Sequence, residues 1–480
     1  MITISTIKKS IYKIPFCLFN SFLILVLVFS GPPAAAQIQI YQQQNNQPDL
    51  KRVSFRDSSK RTKRFGRASL QLVAVEVLPW TWDKYLKKAD YAQISFKTIK
   101  HNLNPGSWTF DNDNFQTNQF GHPYHGSNFF SAFRSNGYTF WQSVPAAFAG
   151  SYIWETAAEK QYPAPNDFIN TSFGGVVLGE MTYRLANKII NNHTRGFKRQ
   201  ASEVLGLLVN PMNGLTRIMD GKWGKVYGNS KEKDSTKIYA EFDLGLRRFG
   251  SNSYAGRHFG AYGHIKLLYG IPYENYRVPF TNISINTEFG QDDSSKVNIV
   301  SVYGSLAGWR ISLTDNARIL AVLSANYDYI HNQAFFYSGQ SVKMNFLSEY
   351  NLLRKFKINA SFGAGPVILG AVPDDYLFKG RNYDYGMGIA INAGGGFNIA
   401  NRFSYSINYR GGWLETINGN KSHYFLHTVS SELSYMVINN FSLSAGPGYF
   451  TLHGYYKDYD NVNKNYPYVR VSARYSVNIQ

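Results

Sequence analysis

From residue 235 onward, apolar and polar side chains alternate with a period of two. Over 238–247, Ile238, Ala240, Phe242, Leu244 and Leu246 fall on one side, and Tyr239, Glu241, Asp243, Gly245 and Arg247 on the other. The same split returns at Phe356, Ile358, Ala360 and Phe362 against Lys357, Asn359 and Ser361. It closes the chain as Val469, Val471, Ala473, Tyr475 and Val477 against Arg470, Ser472, Arg474 and Ser476. Such a period places one set on each face of a β-strand. Twelve segments carry it, near 238–249, 258–270, 279–289, 296–313, 318–330, 341–352, 355–368, 384–397, 402–413, 423–437, 441–453 and 467–479. An even number of antiparallel strands, each of at least about nine residues, suits a closed transmembrane barrel. Closure is needed because an open edge in lipid leaves N–H and C=O groups without partners. A soluble β-sandwich also alternates, but Lys, Arg and Asp inside the strands fit a polar lumen better. The fold expected is mainly β: an antiparallel transmembrane β-barrel of about 12 strands preceded by a small helical module.

Ahead of the barrel the pattern changes. Residues 69–120 alternate weakly, whereas 127–190 mix small and aromatic residues at helical spacing and predict two or three helices. Ser127 reads as an N-cap, Pro145 as the start or kink of a helix, and Pro165-Asn166-Asp167 as a helix start. Thr171, Gly175 and Gly179 recur every four residues, so a second backbone can approach closely, with Gly150 and Ser151 as the facing groove. Glu180 and Arg184, four residues apart, pair on one helix face, and a charge pair there argues against a lipid-spanning helix.

The N-terminus reads as a secretory signal peptide over 1–36: Lys8, Lys9 and Lys13, an apolar run from Phe16 to Ser30, then Ala34-Ala35-Ala36. Residues 37–69 form a flexible basic linker, 70–195 the helical module and 235–480 the barrel. The single cysteine, Cys17, lies within the signal segment, so the exported chain needs neither disulfides nor thiolate ligands. Net charge is +19, of which the removed segment accounts for three lysines. In an exported protein this charge points to anionic lipid head groups rather than to nucleic acid, which is not an expected partner. Aromatics make up 16% of the chain, with 35 Tyr and 34 Phe, a composition suited to membrane strands. The last residues, Val477-Asn478-Ile479-Gln480, lack the terminal aromatic by which barrel-assembly machinery, an expected partner, commonly recognises its substrates.

The most distinctive text lies in 105–184. It runs Trp108-Thr109-Phe110-Asp111-Asn112-Asp113-Asn114-Phe115, His122-Pro123-Tyr124-His125-Gly126-Ser127, Arg134-Ser135-Asn136-Gly137-Tyr138, Gly150-Ser151-Tyr152-Ile153-Trp154-Glu155, and Asn166-Asp167 followed by Gly174-Gly175 and Gly179-Glu180. This ordered series resembles the domain of unknown function 3943 family of exported bacterial proteins. The resemblance implies an outer-membrane barrel partner domain and no agreed activity.

Two kinds of chemistry can be read in these blocks. His122 and His125 with Asp111 and Asp113 offer imidazole and carboxylate ligands for zinc or calcium, although Pro123 suggests a turn that satisfies its own backbone. For a hydrolase, His122 or His125 serves as base, Ser127 or Ser151 as nucleophile, and Glu155 or Asp167 as orienting group, without a G-x-S-x-G elbow. No organic cofactor is expected. The leading functional expectation is a structural or transport barrel in the outer membrane, with the helices as a plug or periplasmic module. An enzyme acting on membrane lipid or lipopolysaccharide is the second, and a module binding a periplasmic partner the third.

Overall fold

The computed structural model describes residues 62–226, 236–250, 259–290, 296–314, 316–332, 336–353 and 355–479. The signal segment 1–36 and the linker as far as residue 61 lie outside the described residues.

The barrel strands are β1 (Ile238–Phe249), β2 (Gly260–Tyr269), β3 (Ile283–Gly290), β4 (Val297–Leu313), β5 (Ala317–His331) and β6 (Phe336–Leu353). They continue as β7 (Phe356–Phe378), β8 (Arg381–Ile399), β9 (Phe403–Asn418), β10 (Ser422–Ile438), β11 (Phe441–Tyr456) and β12 (Val462–Ile479). Each pairs antiparallel with its neighbour, and β1 meets β12 with Ile238 opposite Ile479, which closes the barrel. Strand β7 runs ten residues past its expected end at 368 because the register shifts between Val367 and Gly370 and again after Pro373, which breaks the period of two.

The two faces sort as the alternation requires. Leu244, Trp309, Met387, Leu433, Leu443 and Tyr475 stand exposed on the outside, while Glu241, Lys266, Asn286, Asn345, Glu432 and Arg470 line the inside. A closed even-stranded barrel with an apolar exterior is of the bacterial outer-membrane type, and the protein belongs in that membrane.

The lumen is filled by its own side chains. Arg474 holds Asp243 at 2.7 Å and Glu432 at 2.8 Å. Arg470 joins Glu432 at 3.0 Å to Glu288 at 3.2 Å, and Arg247 reaches Glu288 at 2.8 Å. Tyr273 and Tyr276, from the β2–β3 connection, pack with Leu320, Val322 and Leu347 inside the wall. A cavity of about 300 Å³ remains between these groups. Planar-bilayer recordings of the full-length protein are therefore expected to show no steady open channel, and deleting the helices leaves that closure intact. A persistent open conductance from the intact chain would mean that the ion-pair network parts in the membrane.

Ahead of the barrel come α1 (Phe65–Thr81), α2 (Phe96–Asn102), α3 (His122–Arg134), α4 (Phe140–Ile153), α5 (Pro165–Ile169), α6 (Gly175–Ile189), α7 (Gly196–Val209) and α8 (Pro211–Met219). The helices thus extend on both sides of 70–195. Helix α8 has a legible start, since Asn210 Oδ1 accepts from Asn213 N ahead of Pro211. Ser127 is not a cap: it lies inside α3, where its hydroxyl donates to the Tyr124 carbonyl at 2.6 Å. The helix begins earlier because Pro123 supplies its first turn. Pro145 stands within α4, whose start is fixed by a reciprocal Thr139–Gln142 capping box.

The close approach at Gly175 and Gly179 is real, but its partner is α3 rather than Gly150 and Ser151. A Cβ on Gly175 would meet the Gly126 backbone, and one on Gly179 would meet Phe130 and the Ser127 carbonyl. Gly150 instead accommodates the Phe129 ring.

The expected plug is not found among the described residues, because the lumen cavity is lined by barrel residues alone. The helices lie against the outer wall. Val176, Val177 and Leu178 of α6 pack with Ile283, Ile285 and Val302, and Phe140 stacks on Phe280 at 5.3 Å. Phe115 packs against Tyr329, Phe336 and Tyr383. Tyr327 donates to the Gln119 carbonyl at 2.6 Å, and Asn118 donates to the hydroxyls of Tyr383 and Tyr385 at 2.9 Å each. Ile283, Ile285, Tyr327, Tyr329 and Phe336 alternate with the lumen-lining Ser284, Asn286, Asn326, Asp328, Ile330 and Tyr337, so they point outward. No helix among the described residues is long and apolar enough to cross a membrane by itself.

Candidate functional site

Four helical runs of the module contain a five-residue π turn, at Trp82–Leu86, Thr117–Gly121, Trp154–Ala158 and Asn170–Gly174. Such turns re-aim the side chains beside them and recur at functional sites. Three of them converge here. His122 directly follows the second, Glu155 lies in the third, and Asp167 stands one turn before the fourth. One ligand-type atom from each of His122, Glu155 and Asp167 lies within 4.8 Å of the others.

His122 Nε2 stands 3.6 Å from Asp167 Oδ1, and its Nδ1 is 3.3 Å from the Thr171 hydroxyl. Asp167 accepts from Asn166 Nδ2 at 2.8 Å, and Glu155 accepts from the Ala164 backbone N–H at 2.9 Å. Asn166 also donates to Asp111 at 2.6 Å and to the Tyr385 hydroxyl at 3.0 Å, which ties the cluster to the barrel's outer wall. Arg381 of β8 reinforces that tie by donating to the Asp111 carbonyl at 2.8 Å.

The surroundings are poor in water and rich in acid. Burial raises the Glu155 carboxyl well above its usual range, and the neighbouring Glu159 adds to this. Burial does the same to Asp167, with Asp111 the next cause. Glu159 is pushed up to about 7 and Glu76 to about 8, both by burial. The His122 imidazole is driven down to about 3 by burial and by His125, so it is neutral and keeps a lone pair to accept a hydrogen bond or bind a cation. Carboxyls of raised pKa can hold a proton near neutral pH and give it to a leaving oxygen, whereas an imidazole held so low is suited to coordination rather than to proton abstraction.

The other residues singled out in the sequence are placed elsewhere. His125 turns its Nε2 to the Val75 carbonyl at 3.2 Å and packs its ring against Trp154 and Phe129. Asp113 is exposed, and Asp111 reaches the cluster only through Asn166. Ser151 is fully buried and donates to the Phe168 carbonyl at 3.3 Å, so neither it nor Ser127 faces His122. His122, one of two candidate bases, and Glu155 and Asp167, the alternative orienting groups, form one cluster. Asn118, Tyr385 and Glu76 were not anticipated as part of this region, and Thr171 was read only as a helix-contact position.

The family model described as Domain of unknown function (DUF3943) matches residues 107–212. The chain carries this domain. The DUF3943 domain contains the three cluster residues and the α3–α6 crossing, while Glu76 precedes it. No curated protein matches the chain. Among solved structures it is similar to the NanC porin, with 11% identity over 48% of this chain and 98% of that one, at a TM-score of 0.30. It is similar to the KdgM porin, with 13% identity over 49% and 99%, TM-score 0.24. It is also similar to the COG4313 outer membrane channel from Pseudomonas putida F1, with 10% identity over 51% and 95%, TM-score 0.30. Each likeness spans about half of this chain, a share the size of the barrel without the DUF3943 domain.

Proposed function

We propose that the protein is an outer-membrane enzyme that hydrolyses a bond in a membrane lipid, phospholipid or lipopolysaccharide, at the His122, Glu155 and Asp167 cluster. The observation that carries this reading is the position of a polar, water-poor cluster inside a helical module set on the lipid-facing wall. Two of its helices, α1 and α7, expose apolar side chains and bury polar ones. On α1, Leu70, Val73 and Val77 are exposed while Gln71 and Glu76 are buried, and on α7 Phe197, Leu205 and Leu208 are exposed. Apolar surface of this extent needs an apolar neighbour, and lipid lies beside the strands that the module covers. His122 retains 13% side-chain exposure, which leaves its edge within reach of a substrate. The positive charge of the chain favours anionic head groups.

Glu159, whose carboxyl burial pushes up to about 7, takes a proton from the attacking water and returns it to the leaving oxygen, while His122, Glu155 and Asp167 hold that water in place. A serine nucleophile is not part of this scheme, given where Ser127 and Ser151 point. Transport through the lumen would need the Arg247, Arg470 and Arg474 network to open. The test is incubation of proteoliposomes containing the pure protein with phospholipid and with lipopolysaccharide, followed by mass spectrometry of the products. Turnover of one lipid class is expected, and His122→Ala or Asp167→Asn should lower it by about 100-fold or more. Absence of product from both classes, or variants as active as the parent, would sink the reading.

A further inference from the structure

The geometry points to a divalent-cation site in the helical module, ligated by His122, Glu155 and Asp167 and charge-balanced by Glu76. This rests on the same cluster as the proposed enzyme and says what that cluster holds. Donor atoms bound to one ion at about 2.0–2.6 Å stand at most roughly 4–5 Å apart, and the three donors already lie within 4.8 Å of one another. One imidazole with two carboxylates suits zinc or manganese better than magnesium. The outer contacts are those of a prepared site: Thr171 engages His122 Nδ1 and leaves Nε2 as the donor, while Asn166 and the Ala164 N–H hold the two carboxylates.

A second observation points the same way independently of the three ligands. Glu76 is 6% exposed, and both its carboxylate oxygens are buried without a hydrogen-bond partner. It belongs to α1, which packs against the π turn carrying Glu155. A buried carboxylate with no donor is strongly unfavourable unless a cation or proton neutralises it. Asp111 shares the Asn166 amide with Asp167, so a further carboxylate stands at the same edge. Arg381, the guanidinium that reaches this edge, spends its N–H groups on the Tyr383, Asp111 and Asn418 oxygens. A divalent ion supplies the missing positive charge.

The test uses the full-length protein in detergent, stripped with chelator and then titrated calorimetrically with Zn²⁺, Mn²⁺ and Ca²⁺, with bound metal counted by mass spectrometry. One Zn²⁺ or Mn²⁺ per chain is expected. Glu155→Gln and Asp167→Asn should each weaken binding at least 10-fold, and Glu76→Gln about 10-fold while stabilising the metal-free module. Hydrogen exchange over 117–189 reports whether each variant has kept its fold. A folded wild-type module that binds none of the three ions, or ligand variants that are folded and bind as tightly as the parent, would overturn the site. Stoichiometric binding without lipid turnover would uphold the cation site and sink the enzyme, whereas turnover indifferent to chelation would do the reverse.

Discussion

Replacing Glu180 with Ala is expected to destabilise the helical module by roughly 3–5 kcal/mol, the cost of stripping one partner from a buried ion pair. Glu180 is completely buried, and its carboxylate takes 2.7 Å bonds from Arg134 Nε and Arg184 Nε and a 3.1 Å bond from Arg134 Nη2. The i,i+4 pairing with Arg184 follows from the sequence, and Arg134 on α3 joins it across the helix crossing. Removing the carboxylate would leave two guanidinium groups side by side away from water. One of them, Arg184, also donates to the Pro279 carbonyl at 2.8 Å, so the damage should spread to the docking of α6 on the barrel. Hydrogen exchange should show loss of protection across α3 and α6 in the Glu180→Ala protein, with the barrel still resisting detergent unfolding. A variant with wild-type protection would show that the two arginines find other partners.

The same pair sets a pH dependence. Burial alone would raise the Glu180 carboxyl, but Arg134 and then Arg184 outweigh it and hold it below the usual carboxylate range. A depressed folded value means that the stabilisation is fully present above the unfolded value, about 4.3, and is lost as pH falls through the folded one. The module should therefore tolerate mild acid and open only below the ordinary carboxylate range.

The barrel was legible because its code is local. A period of two, repeated twelve times, marks each strand, and charged residues on one face mark the lumen. The position of the helices was not legible by that route, since alternation separates two faces without saying what covers the outer one. The clue was chemical: Tyr327, Tyr329, Tyr383 and Tyr385 put hydroxyls on a face that elsewhere carries Leu, Ile and Val, and hydroxyls in lipid need partners. The site shows the opposite division. Its residue types were visible, but His122 and His125, three apart on a helix, diverge because His125 is drawn to the Val75 carbonyl, whereas His122 follows one π turn, Glu155 lies in another and Asp167 comes from a separate short helix. Helix periodicity assumes 3.6 residues per turn, so it misplaces any side chain that follows a five-residue π turn.

Gly126→Val should force α3 and α6 apart, because they touch there backbone to backbone. A Cβ on Gly126 would overlap the Thr171 carbonyl oxygen, and one on Gly175 would overlap the Gly126 backbone. Neither obstacle is the end of a flexible side chain, so the helices must separate, at about 3 kcal/mol or more, the upper end of overpacking costs. Separation would draw Thr171 and the π turn after Asp167 away from His122. Cation binding and lipid turnover, if both belong to the cluster, should then fall together in Gly126→Val while the heat-dependent gel shift of the closed barrel persists. Gly66→Ala provides the contrast: it lies in α1 with nothing within 4 Å of its added methyl, and should stabilise that helix by about 0.5–1 kcal/mol. If Gly126→Val melted and bound metal like the parent, the α3–α6 crossing would not be what brings His122 to Asp167.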